Sequence, residues 1–166
     1  MEELQGVCLL AATLSVGLMA GVFGLYTHTI MPGLATTDDR TFVGAFQAID
    51  RAIINVWFIP VFVGALILTA VAAVLSIGEE RNDALPWAVA AFVLYLLVVI
   101  VTGRVNVPRN DAIKAAGDPD RIGDLAAVRR DFDELRWRRW NLFRTLASTA
   151  AFGCLAWALV EYGGTL

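Results

Sequence analysis

The sequence is poor in the residues that build metal and disulfide sites. Its 166 residues include one histidine, His28, and two cysteines, Cys8 and Cys154. These two cysteines form neither a disulfide framework nor a zinc-ligand pattern, and we predict that both are small buried apolar residues. One histidine with dispersed carboxylates does not supply the three protein ligands of a catalytic metal centre. The composition therefore predicts a protein without a bound metal ion.

Sequence motifs of several large functional classes are missing as well. The chain has no glycine-rich phosphate loop, no Ser-His-Asp arrangement, no nucleic-acid-binding signature, no internal repeat and no low-complexity tract. Its first residues, MEELQ, are acidic where a secretory signal peptide is basic, so we expect no cleaved signal. These absences disfavour nucleotide-dependent, hydrolytic and nucleic-acid-binding functions.

Apolar residues, in contrast, make up 58% of the chain, and the mean hydropathy is +0.65. A soluble domain of this size does not need so apolar a composition. Four stretches are long enough to cross about 30 Å of hydrocarbon as helices; they cover residues 7–30, 52–77, 85–103 and 142–160. We predict a single all-α domain over residues 1–166, an integral membrane four-helix bundle.

Two segments outside these stretches also have helical patterns. TTDD at 36–39 is a helix start with Asp or Thr available as N-cap, so helix 2 is predicted to begin near residue 39, before its lipid-spanning part. Residues 121–139 have one apolar and one charged face, which predicts an amphipathic helix ahead of helix 4, against the membrane or the cytoplasmic mouth of the bundle. Trp137 and Trp140 fit the aromatic belt of a membrane interface.

Proline positions predict where helices end or bend. MPGL at 31–34 is predicted to break helix 1, Pro60 to kink helix 2, and Pro108 to end helix 3. Proline lacks a backbone N–H, clashes with the preceding turn and disfavours helix in the residue before it. Asn110 is then predicted to cap the segment that follows.

Basic residues are distributed unevenly between the predicted sides of the membrane. With four spans, both termini share one side with loop 2–3, and that side holds only Arg81; the other twelve basic residues lie on the opposite side. Because Lys and Arg concentrate in cytoplasmic loops, we predict a multi-pass cell-membrane protein with both termini outside and loops 1–2 and 3–4 cytoplasmic. The predominance of arginine, alanine and glycine favours a bacterial inner membrane.

Strong polar residues within the predicted spans gather at this cytoplasmic end. They are His28 on helix 1, Gln47 and Asn55 on helix 2, Asn106 and Asn110 on helix 3, and Asn141 and Arg144 on helix 4. Intramembrane ionisable residues mark functional sites by default, so we predict one shared compartment. Within it, Arg144 is predicted to pair with Asn106, Asn110 or carbonyls freed by Pro108. A structural amide network that holds the helices together is the alternative.

Four stretches resemble the anthrone oxygenase-like family of small four-helix membrane proteins. They are IMPGL at 30–34, FVGAFQAIDRAIINVWF at 42–58, NVPRND at 106–111 and WRRWNLFR at 137–144, within a resemblance from about residue 16 to residue 155. The motifs N-x-P-x-N and W-x-x-W-N-x-x-R, in this order, are its most specific part. The chain departs at Asp50, where the resemblance implies an asparagine. Family members are assigned the oxidation of anthrones to anthraquinones.

The resemblance implies an oxidoreductase of the monooxygenase type, a membrane-embedded oxygenase whose substrate is a hydrophobic aromatic of the anthrone type. The anion formed at the acidic CH₂ of an anthrone passes an electron directly to oxygen, so no cofactor is expected; a haem on His28 is the alternative. His28 is the predicted base, with Asn106, Asn110, Asn141 and Arg144 as oxyanion donors. Substrate contacts are predicted at Gln47, Asn55, Trp57, Phe58, Trp140 and Phe143.

Two hypotheses without catalysis stay open at this point. In one, the cytoplasmic-side polar network surrounds a bound or transported hydrophobic small molecule or lipid that does not react. In the other, the network is structural and its polar end docks a partner. Glycines on helix 1 also suit self-association into a homo-oligomer. Membrane lipids are further expected partners. Nucleic acid is not expected as a partner.

Overall fold

Helices account for every regular element in the residues that the structure describes, which are 2–77 and 83–164 of a computed structural model. In chain order they are α1 (Glu2–Leu25), α2 (Met31–Ala35), α3 (Asp39–Ile53), α4 (Phe58–Leu75), α5 (Leu85–Val101), α6 (Val107–Ala115), α7 (Leu125–Phe132) and α8 (Glu134–Gly164), with π-helical turns at Tyr26–Ile30 and Thr102–Asn106. The predicted all-α class is confirmed.

Four helical spans in this part of the chain are long and apolar enough to cross a membrane, as expected of a multi-pass membrane protein. They are Glu3–Ala35, Phe58–Leu75, Leu85–Ala115 and Leu125–Gly164. α1 packs on α4 and α8, and α5 packs on the same two helices from the opposite side, which closes a four-helix bundle. Alanines are prominent in its core, including Ala12, Ala65, Ala88 and Ala151, and small side chains let helices in a membrane approach closely.

The two cysteines lie in or beside this bundle core. Cys8 is buried, Cys154 is partly exposed, and both are free thiols. Loop 2–3 falls partly at residues 78–82, so the prediction that Arg81 lies alone on its side of the membrane concerns a residue outside the described ones.

Two of the predicted helix ends are wrong, because a π-helical turn comes before each proline. The turn Tyr26–Ile30 precedes Pro32, and the turn Thr102–Asn106 precedes Pro108; both helices continue, to Ala35 and Ala115. Each turn closes with a hydrogen bond across five residues, from Met31 N–H to Tyr26 O and from Val107 N–H to Thr102 O. The wider turn carries one extra residue and continues the helix past a proline in the first turn of the next segment. Asn110 therefore lies inside α6 and caps nothing.

Helix 2 is interrupted at 54–57, not kinked at Pro60. The side-chain oxygen of Asn55 accepts hydrogen bonds from the backbone N–H of Trp57 (2.8 Å) and Phe58 (2.9 Å). Its backbone carbonyl accepts from Ile59 N–H at 3.1 Å. Asn55 thus caps a new helix, and Pro60 lies in the first turn of α4, where its missing N–H is not needed.

We predict that Asn55→Ala lowers the free energy of unfolding by about 1 kcal/mol, the usual effect of losing an N-terminal cap. Denaturant titration in detergent, followed by circular dichroism, measures the change. Thr149→Ala, which removes an exposed hydroxyl from α8, is the control. Equal stability of the Asn55 and Thr149 variants would contradict the capping role.

The short helices α2, α3, α6 and α7 form a cap over one end of the bundle with an apolar core of its own. That core contains Met31, Phe42, Phe46, Ile113 and Phe132. Helix α3 begins as predicted: the Asp38 carboxylate accepts the Thr41 N–H at 2.9 Å, and this backbone hydrogen bond lowers the pKa of Asp38. The hydrogen bond from Thr41 N–H to the Asp38 carboxylate is therefore fully formed at a pH above the usual pKa of a carboxyl group. It is lost as the pH falls through the lowered pKa of Asp38.

The amphipathic helix is shorter than the predicted 121–139. α7 ends at Phe132 because Asp133 adopts a left-handed conformation, with φ 53°, and residues 134–139 already belong to α8. Trp137 is consequently buried in the core of the cap and is no part of an aromatic belt. Arg129 ties α7 to the end of α2 and the loop that follows it, since its guanidinium donates to Thr37 O (2.8 Å) and Ala35 O (3.2 Å).

Candidate functional site

A cavity of about 80 Å³ lies where the bundle core meets the core of the cap. We call it the Arg144 cavity. It is lined by Val22, Phe23, Tyr26, Phe46, Ile49, Asp50, Ile53, Ile54, Phe58, Thr102, Val107, Asn110, Trp137 and Arg144. Both π-helical turns contribute to its wall, through Tyr26 and Thr102. The lining is thus largely aromatic and aliphatic, with one carboxylate and one guanidinium.

Arg144 is held in this wall by neutral groups. Its side-chain nitrogens donate to the Asn141 side-chain oxygen at 2.6 Å and to the Thr102 hydroxyl at 3.2 Å. The guanidinium carbon lies 4.5 Å from the Phe23 ring centroid and 5.5 Å from that of Trp137, and such ring faces attract cations. Arg144 is only 6% exposed, and its Nε has no hydrogen-bond partner.

Asn141 fixes the position of Arg144 from the same helix, one turn earlier. Its amide nitrogen donates to Phe23 O at 3.0 Å and to the Thr27 hydroxyl at 2.7 Å. These bonds turn the amide so that its oxygen faces Arg144. The carboxamide therefore connects α8 to α1 and orients the guanidinium at once.

Asp50, which also lines the cavity, belongs to a second polar chain. Its carboxylate accepts from the Asn110 amide at 2.6 Å and pairs with Lys114 Nζ at 2.7 Å. The Asn110 oxygen in turn accepts the Trp137 indole N–H at 2.8 Å. Asp50 is 6% exposed, so this chain places a buried carboxylate, already paired with a cation, in the cavity wall.

Asp50 is paired with Lys114, which leaves the positive charge of Arg144 to dominate the electrostatics of the cavity. Among the residues that the structure describes, no carboxylate lies within ion-pair distance of Arg144. A buried cation without a counter-ion is costly unless an anion or developing negative charge comes to it. The site can therefore bind an anion or stabilise an oxyanion next to an apolar ring.

The structure brings together only part of the predicted site. Arg144, Asn110 and Phe58 line the cavity, and Asn141 supports it from behind. Asn106 is buried and donates weakly to Trp137 O at 3.5 Å, so it is a neighbour of the site and not part of its lining. The predicted pairing of Arg144 with Asn106 or Asn110 is wrong, because Asn141 lies closer on the same helix and Asn110 is engaged by Asp50 and Trp137.

The predicted placement of His28 in the shared compartment is wrong. His28 is exposed, and its Nδ1 is 2.6 Å from the hydroxyl of its neighbour Thr29. The glycine stripe that leads to it on α1 lies at the edge of the contact with α8: Gly17 and Gly24 face α8 side chains, whereas Gly21 is in open space. The core face of α1 instead ends in Phe23 and Tyr26. A regular helical period placed His28 on the glycine stripe, and this stripe lies beside the core face of α1 and not on it.

Five predicted substrate contacts also lie away from the cavity. Gln47 is buried but donates to Ile113 O (2.7 Å) and Gly117 O (3.0 Å), where it ties α3 to α6. Asn55 caps α4, and Trp57 on the same break is 82% exposed. Trp140 and Phe143 pack on each other on the outer surface of α8. Trp140 and Phe143 face outward because α8 turns a different side to the core than the sequence pattern suggested.

Several residues that form the site were missed. Asp50, Lys114, Tyr26, Phe23 and Trp137 were not selected, although all but Lys114 line the cavity. Asp50 had a detectable signal, since it is a carboxylate next to Ile49 and Ile53 on the apolar side of α3. No comparable signal marked Phe23 or Tyr26, because aromatic residues on a membrane helix are ordinary core residues.

The described residues contain no group of three His, Cys, Asp or Glu side chains placed to hold a metal ion. The side chains that line the Arg144 cavity offer proton transfer at Asp50 and charge stabilisation at Arg144.

The comparison with known proteins agrees with the motifs. The family model described as anthrone oxygenase matches residues 56–154, more than half of the 166 residues. NVPRND and WRRWNLFR lie inside the match, whereas IMPGL and most of the stretch at 42–58 lie before it. No curated protein and no solved structure matches the chain. Because the match covers more than half of the chain and includes Arg144, Asn110 and Trp137, the chain belongs to the anthrone oxygenase family.

Proposed function

We propose that this protein oxidises an anthrone-type aromatic in the Arg144 cavity, with molecular oxygen as the oxidant and without a cofactor. Family membership supports the reaction class. The observation that carries the choice of site is Arg144, a buried guanidinium in a wall of aromatic rings, with no carboxylate partner among the residues that the structure describes. An enolate oxygen on a flat apolar substrate matches both features.

The proposed reaction begins with loss of a proton from the substrate CH₂ to the Asp50 carboxylate. The resulting enolate oxygen lies beside Arg144, which stabilises its charge. The anion transfers an electron to O₂, a C–O bond forms at the same carbon, and the resulting peroxide anion takes up a proton to give the hydroperoxide. Loss of water then breaks the O–O bond and leaves a carbonyl. One anthrone and one O₂ yield one anthraquinone and one water.

A base role for Asp50 would be particular to this chain, because the resemblance implies asparagine at the same position. It replaces the predicted role of His28, which lies outside the cavity. Asp50 reaches the surface through Lys114, which is 24% exposed and also pairs with Asp111 at 3.1 Å. This chain of groups supplies a route by which the proton can leave.

Admission of a three-ring substrate requires the cavity to enlarge. Its volume of about 80 Å³ is below the roughly 300–1,000 Å³ of typical ligand pockets. Ile53, Ile54 and Phe58, on both sides of the break between α3 and α4, form part of the wall. We propose that this break moves outward to admit a substrate dissolved in the membrane; its exposed residues Val56 (80%) and Trp57 (82%) are apolar.

Filling the cavity tests the proposed site. We predict that Ile49→Trp lowers the rate of anthrone oxidation at least about tenfold, because the larger ring occupies the space of the substrate. Oxygen uptake and quinone absorbance of the purified protein measure the rate, with a one-to-one ratio of quinone formed to O₂ consumed. Val93→Trp, at an exposed position on α5, is the matched control.

Equal loss in both tryptophan variants would remove the Arg144 cavity from the reaction. If the wild-type protein binds the anthrone but does not convert it faster than buffer, the protein is a binding or transport component. Failure of both binding and conversion would leave the polar groups with a structural role.

We also propose that the cap faces the cytoplasm, with both termini outside. The proposal rests on the twelve basic residues of loops 1–2 and 3–4 and the start of helix 4. Labelling of single cysteines placed at Arg121 and near the N-terminus by a membrane-impermeant reagent in intact cells tests it. Labelling of the Arg121 position from outside would overturn it.

A further inference from the structure

A second cavity and an apolar groove follow one another along the contact between α1 and α8. The cavity, of about 250 Å³, lies between the first π-helical turn and the start of α8, and its wall includes Arg138, Arg139 and Leu142. The groove, of about 820 Å³, continues along the same helices, and its lining includes Gly21 on α1 and Phe152 on α8. We call the two together the α1–α8 seam.

The α8 side of the seam is a single helix face. Residues 138, 142, 145, 149 and 152 line it, and their spacing of three or four residues puts them on one side of a helix. The polar cavity therefore leads directly into the apolar groove. The seam has a charged end at the cap and an apolar length along the bundle.

Gly21 leaves the groove open. A Cβ at Gly21 would meet no atom within 4 Å, whereas one at Gly17 would lie 2.9 Å from the Phe152 ring. Leu14 and Leu18 flank the groove and are exposed. An apolar chain can therefore lie along α1 without displacing any side chain of the protein.

The charged end of the seam is positive. Arg139 has no ion pair among the described residues, and Arg138 shares Glu134 with Arg129, at 3.5 Å and 3.4 Å. Arg129 also pairs with Asp39 at 3.1 Å, so two carboxylates offset Arg129 and Arg138, and Arg139 is the excess positive charge among these described residues. This end complements an anion at the level where lipid headgroups lie.

We propose that the α1–α8 seam binds one anionic phospholipid, with the phosphate at Arg138 and Arg139 and an acyl chain in the groove past Gly21. A second copy of the chain fits this surface less well. Two copies in one membrane share their orientation, so a two-fold contact through the seam would bring like-charged arginines together. A phospholipid supplies an apolar chain and a negative charge at the same two places.

Native mass spectrometry of the delipidated full-length protein in detergent, titrated with phosphatidylglycerol or phosphatidylcholine, tests the proposal. Wild type should bind phosphatidylglycerol more tightly. Arg138→Gln with Arg139→Gln should weaken the binding of phosphatidylglycerol about thirtyfold and remove the preference over phosphatidylcholine. The two basic residues contribute about equally to the attraction of the headgroup, and both contributions are lost. Gly21→Leu should weaken the binding of both lipids, because the leucine side chain fills the groove.

Matched variants separate a specific site from general charge and hydrophobicity. Arg104→Gln with Arg136→Gln removes two exposed arginines outside the seam, and Gly64→Leu fills open space on α4; both should keep lipid affinity within about twofold of wild type. Equal losses in the seam and control variants would overturn the proposal. So would a wild-type dimer that Gly21→Leu converts to a monomer without any change in lipid affinity, because a second copy would then occupy the groove.

Discussion

Arg144→Met is expected to lower kcat/KM for anthrone oxidation by about a hundred- to a thousandfold, the usual loss when one oxyanion donor is removed. Methionine retains an unbranched apolar stem like that of arginine but is shorter and cannot stabilise the enolate. The variant should still fold. Two hydrogen bonds, to Asn141 and Thr102, are lost, but the burial of an unpaired cation is relieved as well.

The contrast between activity and stability is what identifies the role of Arg144. Thermal unfolding in detergent and steady-state oxygen uptake should be measured on the same preparations, together with Arg144→Lys, which keeps the charge but not the planar fork. Lysine should recover part of the lost rate. His28→Ala, at an exposed position outside the cavity, should leave the rate unchanged. Full activity of Arg144→Met would refute the proposed oxyanion role.

Lys114→Met is expected to cost about 3 kcal/mol of unfolding free energy, the low end of the range for stranding a buried charge. The Asp50 carboxylate would keep its bond from Asn110 but lose the cation 2.7 Å away. The low end applies because Lys114 is 24% exposed and water can partly replace it. Denaturant titration measures the change, with Asp111→Asn as the control, since Asp111 is an exposed partner of the same lysine.

Combining Lys114→Met with Asp50→Asn should restore stability to within about 1 kcal/mol of wild type, because a neutral amide no longer needs a cation. The same double variant isolates the catalytic role of Asp50. If Asp50 is the base, the folded double variant should remain about a hundredfold slower than wild type. A double variant with full activity would place the base elsewhere and leave the Asp50–Lys114 pair a purely structural one.

The predicted amide network and the predicted site both describe part of what the polar residues do. Gln47 and Asn141 have partners that tie helices together, as the structural alternative required. Arg144 differs, because its guanidinium is buried, incompletely hydrogen-bonded and directed at a cavity. The distinction depends on what each side chain faces, and sequence spacing does not contain that information.

The amino-acid sequence by itself determined the helical class, the number of spans and the family. Each of these depends on properties that accumulate along the chain: runs of apolar residues long enough for a bilayer, and motifs such as NVPRND and WRRWNLFR. The concentration of polar residues at one end was also readable, because alternate spans run in opposite directions. Arg144 and Asn110 were found in this way.

Only the tertiary structure decided which of those polar residues share a cavity. Two π-helical turns shift the helical register where α1 and α5 reach the cap, and a periodic pattern cannot anticipate an extra residue in a turn. The break at Asn55 and the left-handed Asp133 reorient α3 and α8 in the same region. Packing set the face of each helix: Tyr26 lies in the core while His28 is exposed, and Asp50 lies in the wall of the site.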